Sequence, residues 1–478
     1  MKEAKKIYFI GIGGIGMSAL AQYYLAKGAE VFGSDLAESE ITKMLEKKGA
    51  KIIIISKSHL KSQSFVKRSD LVIYSKAVPE DHPELKLAKK FKIECLSYPE
   101  ALGELTKKYF TIAVCGIHGK STTTAMISLI LIKAGLNPTV ILGTKLKEFG
   151  NSNFRMGGLF KFSKSQMVNC QIVNSQILVI EADEHFGSFL NYWPKIIVLT
   201  NIEKEHLDYY KSLKNLLKAF AEFISHLPEG GFLIINKDDK NITQLKISPP
   251  FYNPPPRFTG GRKRVGGINV LFFSLKEKES RRLRKILKVP GKHNLYNAFA
   301  ALTCARALKI PDKISFKALS EYRGAWRRME EKRVKVQDKE VVLISDYGHH
   351  PTEIRATIEG VKEKYPKKQT WLIFQPHQYQ RTYYLFDDFV KTLVNLPIEK
   401  IIIPPIFDVA GREEAKIRNK VSSEKLVLAV NKRAKKEKAI FIPNFEMIKS
   451  FVESYFKGDI LIIMGAGDVY NLVDEFST

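Results

Sequence analysis

Seven consecutive residues, Gly116-Ile117-His118-Gly119-Lys120-Ser121-Thr122, have the composition of a loop that cradles phosphate. An apolar run precedes them and a helix-like run follows. A glycine-rich turn in that setting points backbone N–H groups at an anion, and the helix dipole favours its negative charge. Lys120 then reaches the β- and γ-phosphates of a nucleotide, and the Ser121 hydroxyl is a ligand for Mg²⁺. Val114 stands where the general pattern has glycine, so this is a short form of the loop. A second glycine run, Gly11-Ile12-Gly13-Gly14-Ile15-Gly16, fits the dinucleotide fingerprint, and Asp35 ends the next apolar run where a ribose-binding carboxylate belongs. That motif implies a diphosphate on a helix N-terminus, with a nicotinamide cofactor as one possible owner.

Other chemistry-bearing residues also sit just beyond apolar runs. Glu181-Ala182-Asp183-Glu184-His185 follows Ile177–Ile180, and a carboxylate there is a natural ligand for ATP-bound Mg²⁺. Thr200-Asn201-Ile202-Glu203-Lys204-Glu205-His206 leaves another run, and His206 could complete a second cation site. Gly291-Lys292-His293-Asn294-Leu295-Tyr296-Asn297 opens an Ala-rich helix whose two asparagines could read an adenine or cap the helix. Asp346-Tyr347-Gly348-His349-His350-Pro351-Thr352-Glu353 and Gln375-Pro376-His377-Gln378-Tyr379-Gln380-Arg381-Thr382 suit a polar pocket for a small charged substrate. The paired histidines have no third ligand at a recognisable zinc spacing.

The elements that must position these residues repeat one theme: strand, loop, helix. Strands are expected at Lys6–Ile10, Glu30–Asp35 and Leu71–Tyr74, with a helix from Met17 to Lys27. A second unit opens with a strand from Tyr109 to Val114 and a helix from Thr122 to Ala134 that stops at Gly135. It continues with strands at Ile177–Ile180, Lys195–Thr200 and Gly231–Ile235, a Pro- and Gly-rich small β excursion from Ser248 to Leu275, and a helix from Asn294 to Leu308. A third has strands at Glu340–Ser345, Thr370–Phe374, Lys400–Ile403, Ala439–Ile442 and Asp459–Met464, mostly unbroken apolar runs of the kind buried on both faces. The fold class is therefore α/β, with three domains expected at 1–107, 108–322 and 323–478: Rossmann-like, phosphate-loop ATPase with a mostly parallel sheet, and Rossmann-like again.

Composition bounds the rest. At 478 residues the chain is too long for one core. Its 45% hydrophobic and 27% charged residues are those of a soluble protein, and no apolar run reaches membrane-spanning length. A cytoplasmic enzyme is expected, with no membrane insertion. Four scattered cysteines argue against a disulfide framework or a zinc site, and Cys115 reads as a small buried strand residue. The net charge of +27 could serve nucleic acid, yet the basic residues are dispersed and lack interleaved aromatics, so no nucleic-acid partner is expected. An oxidoreductase reading of the first glycine run leaves the second phosphate loop unexplained.

Taken in series over essentially the whole chain, these motifs resemble the Mur ligases of peptidoglycan synthesis. The resemblance rests on Gly11–Ser18, Gly116–Thr124, Glu181–Glu184, Thr200–Glu203 with His206, Gly291–Asn294 with Asn297, Arg327-Arg328, Asp346–Glu353 and Phe374–Thr382. It implies an ATP-dependent amide ligase working through an acyl phosphate, with UDP-N-acetylmuramate as one substrate. The Asp346–His350 and Phe374–His377 wording favours L-alanine over a tripeptide as the other. By that likeness the first glycine run holds a UDP diphosphate: Gly11, Gly13, Gly14, Ile15, Gly16, Met17 and Ser18 with Asp35 and Ser75. Gly116, Ile117, His118, Gly119, Lys120, Ser121 and Thr122 with Asn294, Arg328 and Asp346 hold ATP. Ser121, Glu181 and His206 hold metal, and His349, His350 and Arg381 line the amino-acid pocket. A base near His349 or His350 would take the amine proton, imidazole having a suitable pKa. Contacts shared among three domains imply closure during turnover, in a monomer or weak homodimer. The sequence departs from the family at Ile117 and Ser121, where Thr is usual, at His185-Phe186 in place of Ser-Asp, and at Gln378 in place of Arg. The insert from Leu159 to Gln176 is longer than the family leads one to expect.

Overall fold

The computed structural model describes residues 5–55, 59–158, 176–245, 263–265, 267–409 and 415–477. The insert anticipated from Leu159 lies outside them apart from Gln176, as does most of the Pro-rich stretch after Ser248. Packing groups the chain into two compact units. The first comprises Met1–Glu203, Lys214–Ile286 and Tyr296–Tyr322; the second comprises Lys204–Leu213, Leu287–Leu295 and Arg323–Thr478.

The first unit carries two sheets. Strands β1 (Lys6–Ile10), β2 (Glu30–Asp35), β3 (Lys51–Ile54), β4 (Leu71–Tyr74) and β5 (Glu94–Ser97) form one of them in the order β3-β2-β1-β4-β5. Every pairing is parallel. The strand order reverses between β1 and β4, and in open α/β sheets ligands bind beyond the carboxyl ends at such a point. The Gly11–Gly14 turn leaves β1 there, beside Ser75 at the end of β4: a Cβ added to Gly11 would lie 3.3 Å from that of Ser75.

The other sheet holds β6 (Phe110–Cys115), β7 (Thr139–Leu146), β8 (Ser152–Arg155), β9 (Ile177–Glu181), β10 (Ile196–Leu199), β11 (Phe232–Asn236), β12 (Lys263–Val265) and β13 (Ile268–Phe273). Their order is β12-β13-β11-β10-β6-β9-β7-β8. The six inner strands run parallel, and antiparallel partners β12 and β8 close the edges. Because β6 lies between β9 and β10, the loops after these three strands emerge side by side. Adjacency in the sheet thus assembles what the sequence keeps 60 to 85 residues apart.

The third sheet, in the second unit, is built from β14 (Glu330–Val336), β15 (Lys339–Asp346), β16 (Thr370–Phe374), β17 (Lys400–Ile403), β18 (Ala439–Phe441) and β19 (Ile460–Met464). The order is β14-β15-β19-β16-β17-β18, parallel except for the β14–β15 hairpin. Alternate residues of the same strands feed two cores: Ile344, Leu372, Ile401 and Ile462 on one face, Leu343, Ile373, Ile402 and Ile463 on the other. Burial on both faces is why these strands are unbroken apolar runs. Among the described residues no helix is long and apolar enough to cross a membrane.

Candidate active site

The phosphate loop leaves β6 at Cys115 and enters the helix Lys120–Lys133 through Gly119. Two of its residues have to be glycine. Gly116 has φ +123°, and a Cβ there would lie 2.2 Å from Thr200 Oγ1. Gly119 has φ +79°, and a Cβ there would lie 2.2 Å from Asn297 Oδ1. Non-glycine residues are strained at such φ even before the collisions count. The turn is tied to the end of β10: Asn201 Oδ1 accepts from His118 N (2.9 Å), Asn201 O accepts from Ile117 N (3.1 Å), and Thr200 Oγ1 donates to His118 O (2.7 Å). The His118 ring meets the Glu203 carboxylate through Nε2. Asn297, the second asparagine of the Gly291–Asn297 segment, therefore backs the loop.

Lys120 Nζ donates to Gly116 O (2.8 Å), Ile117 O (3.3 Å) and Glu184 Oε2 (2.8 Å), with Asp183 at 3.8 Å. Burial alone would lower its pKa, but Glu184, then Asp183 and Glu181, outweigh it and hold the ammonium above the usual lysine range. The charge is held over its own loop by carbonyl and carboxylate oxygens, the kind of partner that phosphate oxygens would replace. Ser121 Oγ donates to Glu181 Oε2 (2.9 Å), and the other oxygen, Oε1, accepts from Gly143 N on β7 (2.6 Å). A hydroxyl and a carboxylate oxygen side by side at the mouth of a phosphate loop are hard oxygen donors of the kind Mg²⁺ takes. These residues fit that ion.

At the first sheet, Asp35 Oδ2 accepts from Gly13 N (2.7 Å) and Oδ1 from Leu36 N (2.8 Å). The carboxylate anticipated as a ribose ligand thus also pins the glycine turn. Gly14 is the N-cap of the helix Ile15–Ala26 and no side chain caps that end, which leaves first-turn N–H groups for an anion. His185 and Phe186, where the sequence departs from the family, stack at 4.1 Å, and Phe186 O accepts from Lys76 Nζ (2.9 Å).

In the second unit the residues beyond β15 and β16 converge on a carboxylate that sequence reasoning left without a role. Glu205 is buried, accepts from Arg381 Nε at Oε1 (2.8 Å), and has His350 Nε2 3.4 Å from Oε2. Burial would raise its pKa, yet Arg381 foremost, with His206, His350 and His349, drives it well below the carboxylate range. Its only sequence signal was its place in the Thr200–His206 segment.

The two histidines differ. His350 is the N-cap of the helix Pro351–Lys364, where its Nδ1 accepts from Thr352 N (3.2 Å). Its lone pair is thus spent on the helix. His349 Nδ1 donates to Tyr347 O (3.1 Å), which leaves Nε2 as the acceptor of a neutral ring. Burial, assisted by Arg381 and opposed by Glu353 and Glu205, pushes the His349 pKa down to about 4. The expectation of an imidazole base with an ordinary pKa does not hold for it.

Asp346 is likewise occupied: it accepts from Gly348 N (2.8 Å), Met329 N (2.9 Å) and Thr357 Oγ1 (3.2 Å), and burial raises its pKa. It fixes the turns around Arg328, whose guanidinium lies 5.0 Å from the Tyr347 ring and 3.8 Å from Glu353. Asn294 sits inside the helix Lys292–Ala307 and donates to Pro290 O (2.7 Å), so it anchors the helix start without being its cap residue. Gln378 takes φ +73°, a strained value for a side chain of its size, as it enters the helix carrying Arg381. His206, also at positive φ, caps the short helix Leu207–Tyr210 of the second unit.

Comparison with known proteins agrees along the chain. Residues 6–110 match the family described as "Mur ligase family, catalytic domain", residues 114–305 the "Mur ligase middle domain", and residues 327–467 the "Mur ligase, glutamate ligase domain". The UDP-N-acetylmuramate–L-alanine ligase of Aquifex aeolicus is 39% identical, covering 99% of this chain and 98% of its own. The enzyme of the same name from Acetivibrio thermocellus is 36% identical, covering 99% and 95%. Among solved structures, the UDP-N-acetylmuramate–alanine ligase of Thermotoga maritima shares the fold with a TM-score of 0.72, at 24% identity over 98% of both chains. Three family domains in order, and relatives this similar over nearly every residue, place the chain in the Mur ligase family.

Proposed function

We propose that this Mur ligase joins L-alanine to the lactoyl carboxylate of UDP-N-acetylmuramate, with ATP cleaved to ADP and phosphate. The observation carrying the substrate choice is the identity of 35–39% over 99% of the chain to enzymes bearing that name. The ATP chemistry is supported by the Lys120–Glu184 and Ser121–Glu181 pairs at the phosphate loop.

In the first step a lactoyl carboxylate oxygen attacks the γ-phosphorus of ATP, the bond to the β,γ-bridging oxygen breaks, and ADP leaves an acyl phosphate behind. Such transfer needs chiefly positioning and charge neutralisation. Lys120 supplies the fixed positive charge; Gly116–Thr122 supply the N–H cradle; Ser121 and Glu181 would hold Mg²⁺, with His206 serving a second cation. When bound, the metal supplies charge neutralisation at the phosphates. In the second step the alanine amine attacks the acyl carbon, the tetrahedral intermediate breaks its bond to the phosphate oxygen, and the amine proton leaves with the departing phosphate, so that the neutral amide remains. His349, neutral and with Nε2 as acceptor, orients the amine by hydrogen bonding instead of cycling a proton at ordinary imidazole pKa. Arg381 and His350, held by Glu205, complete the amino-acid pocket, while Asn294, Arg328 and Asp346 serve ATP. Gly11–Ser18 with Asp35 and Ser75 hold the UDP diphosphate. The three domains of this reading are 1–107, 108–322 and 323–478, in a cytoplasmic monomer or weak homodimer.

The assay is phosphate release with ATP, Mg²⁺ and UDP-N-acetylmuramate, adding each amino acid or the tripeptide in turn. Release that depends on alanine is expected. Release with the tripeptide alone would sink the substrate assignment.

A further inference from the structure

One hairpin of the first unit, β7–β8, bonds both to Glu181, the carboxylate paired with Ser121 of the phosphate loop, and to the helix that follows the Gly11–Gly14 run. From β7, Gly143 N donates to Glu181 Oε1 (2.6 Å). From β8, Asn153 Nδ2 donates to Ile15 O (2.5 Å) and to Ser18 Oγ (3.0 Å), both in the first turn of the helix that follows the Gly11–Gly14 run. The amide of Asn153 is itself oriented, since its Oδ1 accepts from Gln22 Nε2 (2.8 Å). Gln22 is oriented in turn: its Oε1 accepts from Ser152 Oγ (3.0 Å) and Lys48 Nζ (2.6 Å). Ser18, Gln22, Ser152 and Asn153 are all buried.

A buried polar network of this kind costs desolvation unless every member is satisfied, and once satisfied it fixes a single geometry. Asn153 is 2% exposed and spends both ends of its amide here. An apolar contact would have packed the helix against the hairpin without setting its rotation. The directional bonds set that rotation, and with it the direction of the first-turn N–H groups.

We propose that Asn153 is a positioning residue for the sugar nucleotide. It indexes the diphosphate-binding turn against the hairpin that also holds the metal carboxylate Glu181, so that the lactoyl carboxylate is presented at the γ-phosphate. This rests on the sugar-nucleotide reading of the Gly11–Ser18 turn. Asn153 touches neither substrate; it acts through Ile15 and Ser18.

Steady-state phosphate release, varying UDP-N-acetylmuramate and ATP separately at saturating alanine, reads the effect. Asn153→Ala removes two buried hydrogen bonds to the turn and is expected to raise KM for the sugar nucleotide about tenfold. KM for ATP should stay within about twofold, because the Gly143–Glu181 bond is untouched. Gln22→Glu is isosteric and guards against loss of folding in the first variant. Its carboxylate repels Asn153 Oδ1 and favours the flipped amide, so the same selective rise is expected, by about threefold. The double variant should be no worse than Asn153→Ala alone, since both substitutions act through one amide. Equal rises in both Michaelis constants would mean a merely loosened hairpin and would overturn the proposal, as would no rise in either. Wild-type protein lacking phosphate release dependent on the sugar nucleotide would instead overturn the functional reading beneath it.

Discussion

At the scale of the residue, the buried Glu184 carboxylate decides what can replace Lys120. Its side chain is 1% exposed and its cation is that ammonium. Lys120→Met is therefore expected to lower phosphate release by about a thousandfold, the range for losing a transition-state charge contact. It should also destabilise the fold by about 3 kcal/mol, because a buried carboxylate loses its countercharge. Adding Glu184→Gln should restore denaturant stability without restoring turnover; recovery of turnover would show that Lys120 is structural only. His349 makes a pH prediction. Its folded pKa of about 4 lies below the unfolded value near 6.5, so the unfolded chain binds the extra proton between those limits and stability rises with pH across that window. The contribution is at most about 3 kcal/mol, lost as pH falls from about 6.5 to 4. Urea melts of His349→Gln should show a shallower acid limb than the parent, and parallel limbs would refute the assignment. Contiguous chemistry such as Gly116–Thr122 was legible because its geometry is local. The role of Glu205 was not, because Arg381 stands 176 residues away and only the fold brings them together.

At the scale of the element, strands buried on both faces announced themselves as apolar runs, and β1, β2, β4, β16 and β17 lie where the sequence puts them. Strand β14 did not: Glu330-Glu331-Lys332-Arg333-Val334-Lys335-Val336 is an edge strand whose charges face solvent, a pattern that does not read as a core strand. Hairpin β7–β8 was missed for another reason: the apolar run Val140-Ile141-Leu142 of β7 is short and broken by Gly143, and β8 begins with the buried polar residues Ser152 and Asn153. The β14–β15 connection carries a further prediction. Gln337 and Asp338 both take positive φ, +51° and +61°, the signature of a two-residue type I′ turn filled by residues that dislike it. Replacing them with Asn-Gly should raise unfolding stability by about 1 kcal/mol with turnover unchanged. A neutral or negative shift by denaturant melt would show that the local strain is relieved elsewhere.

At the scale of the whole molecule, a net charge of +27 suits the two polyanionic substrates of the proposed reaction. Dispersed positive charge raises encounter rates for anions and is screened by salt. Raising KCl from about 50 to 300 mM should lower kcat/KM for the sugar nucleotide several-fold while kcat changes little. A flat profile would leave the charge with a solubility role alone. The third sheet has its own molecule-wide consequence. Of the strands in this sheet β19 is the last in chain order, yet it occupies the middle, between β15 and β16. Until it leaves the ribosome, two apolar strands wait with open edges, and a native-like sheet cannot close however long the nascent chain pauses. A polypeptide that stops short of Ile460 has lost the keystone of the arch, and quality-control proteases would meet an unfinished sheet where one more strand makes an enzyme.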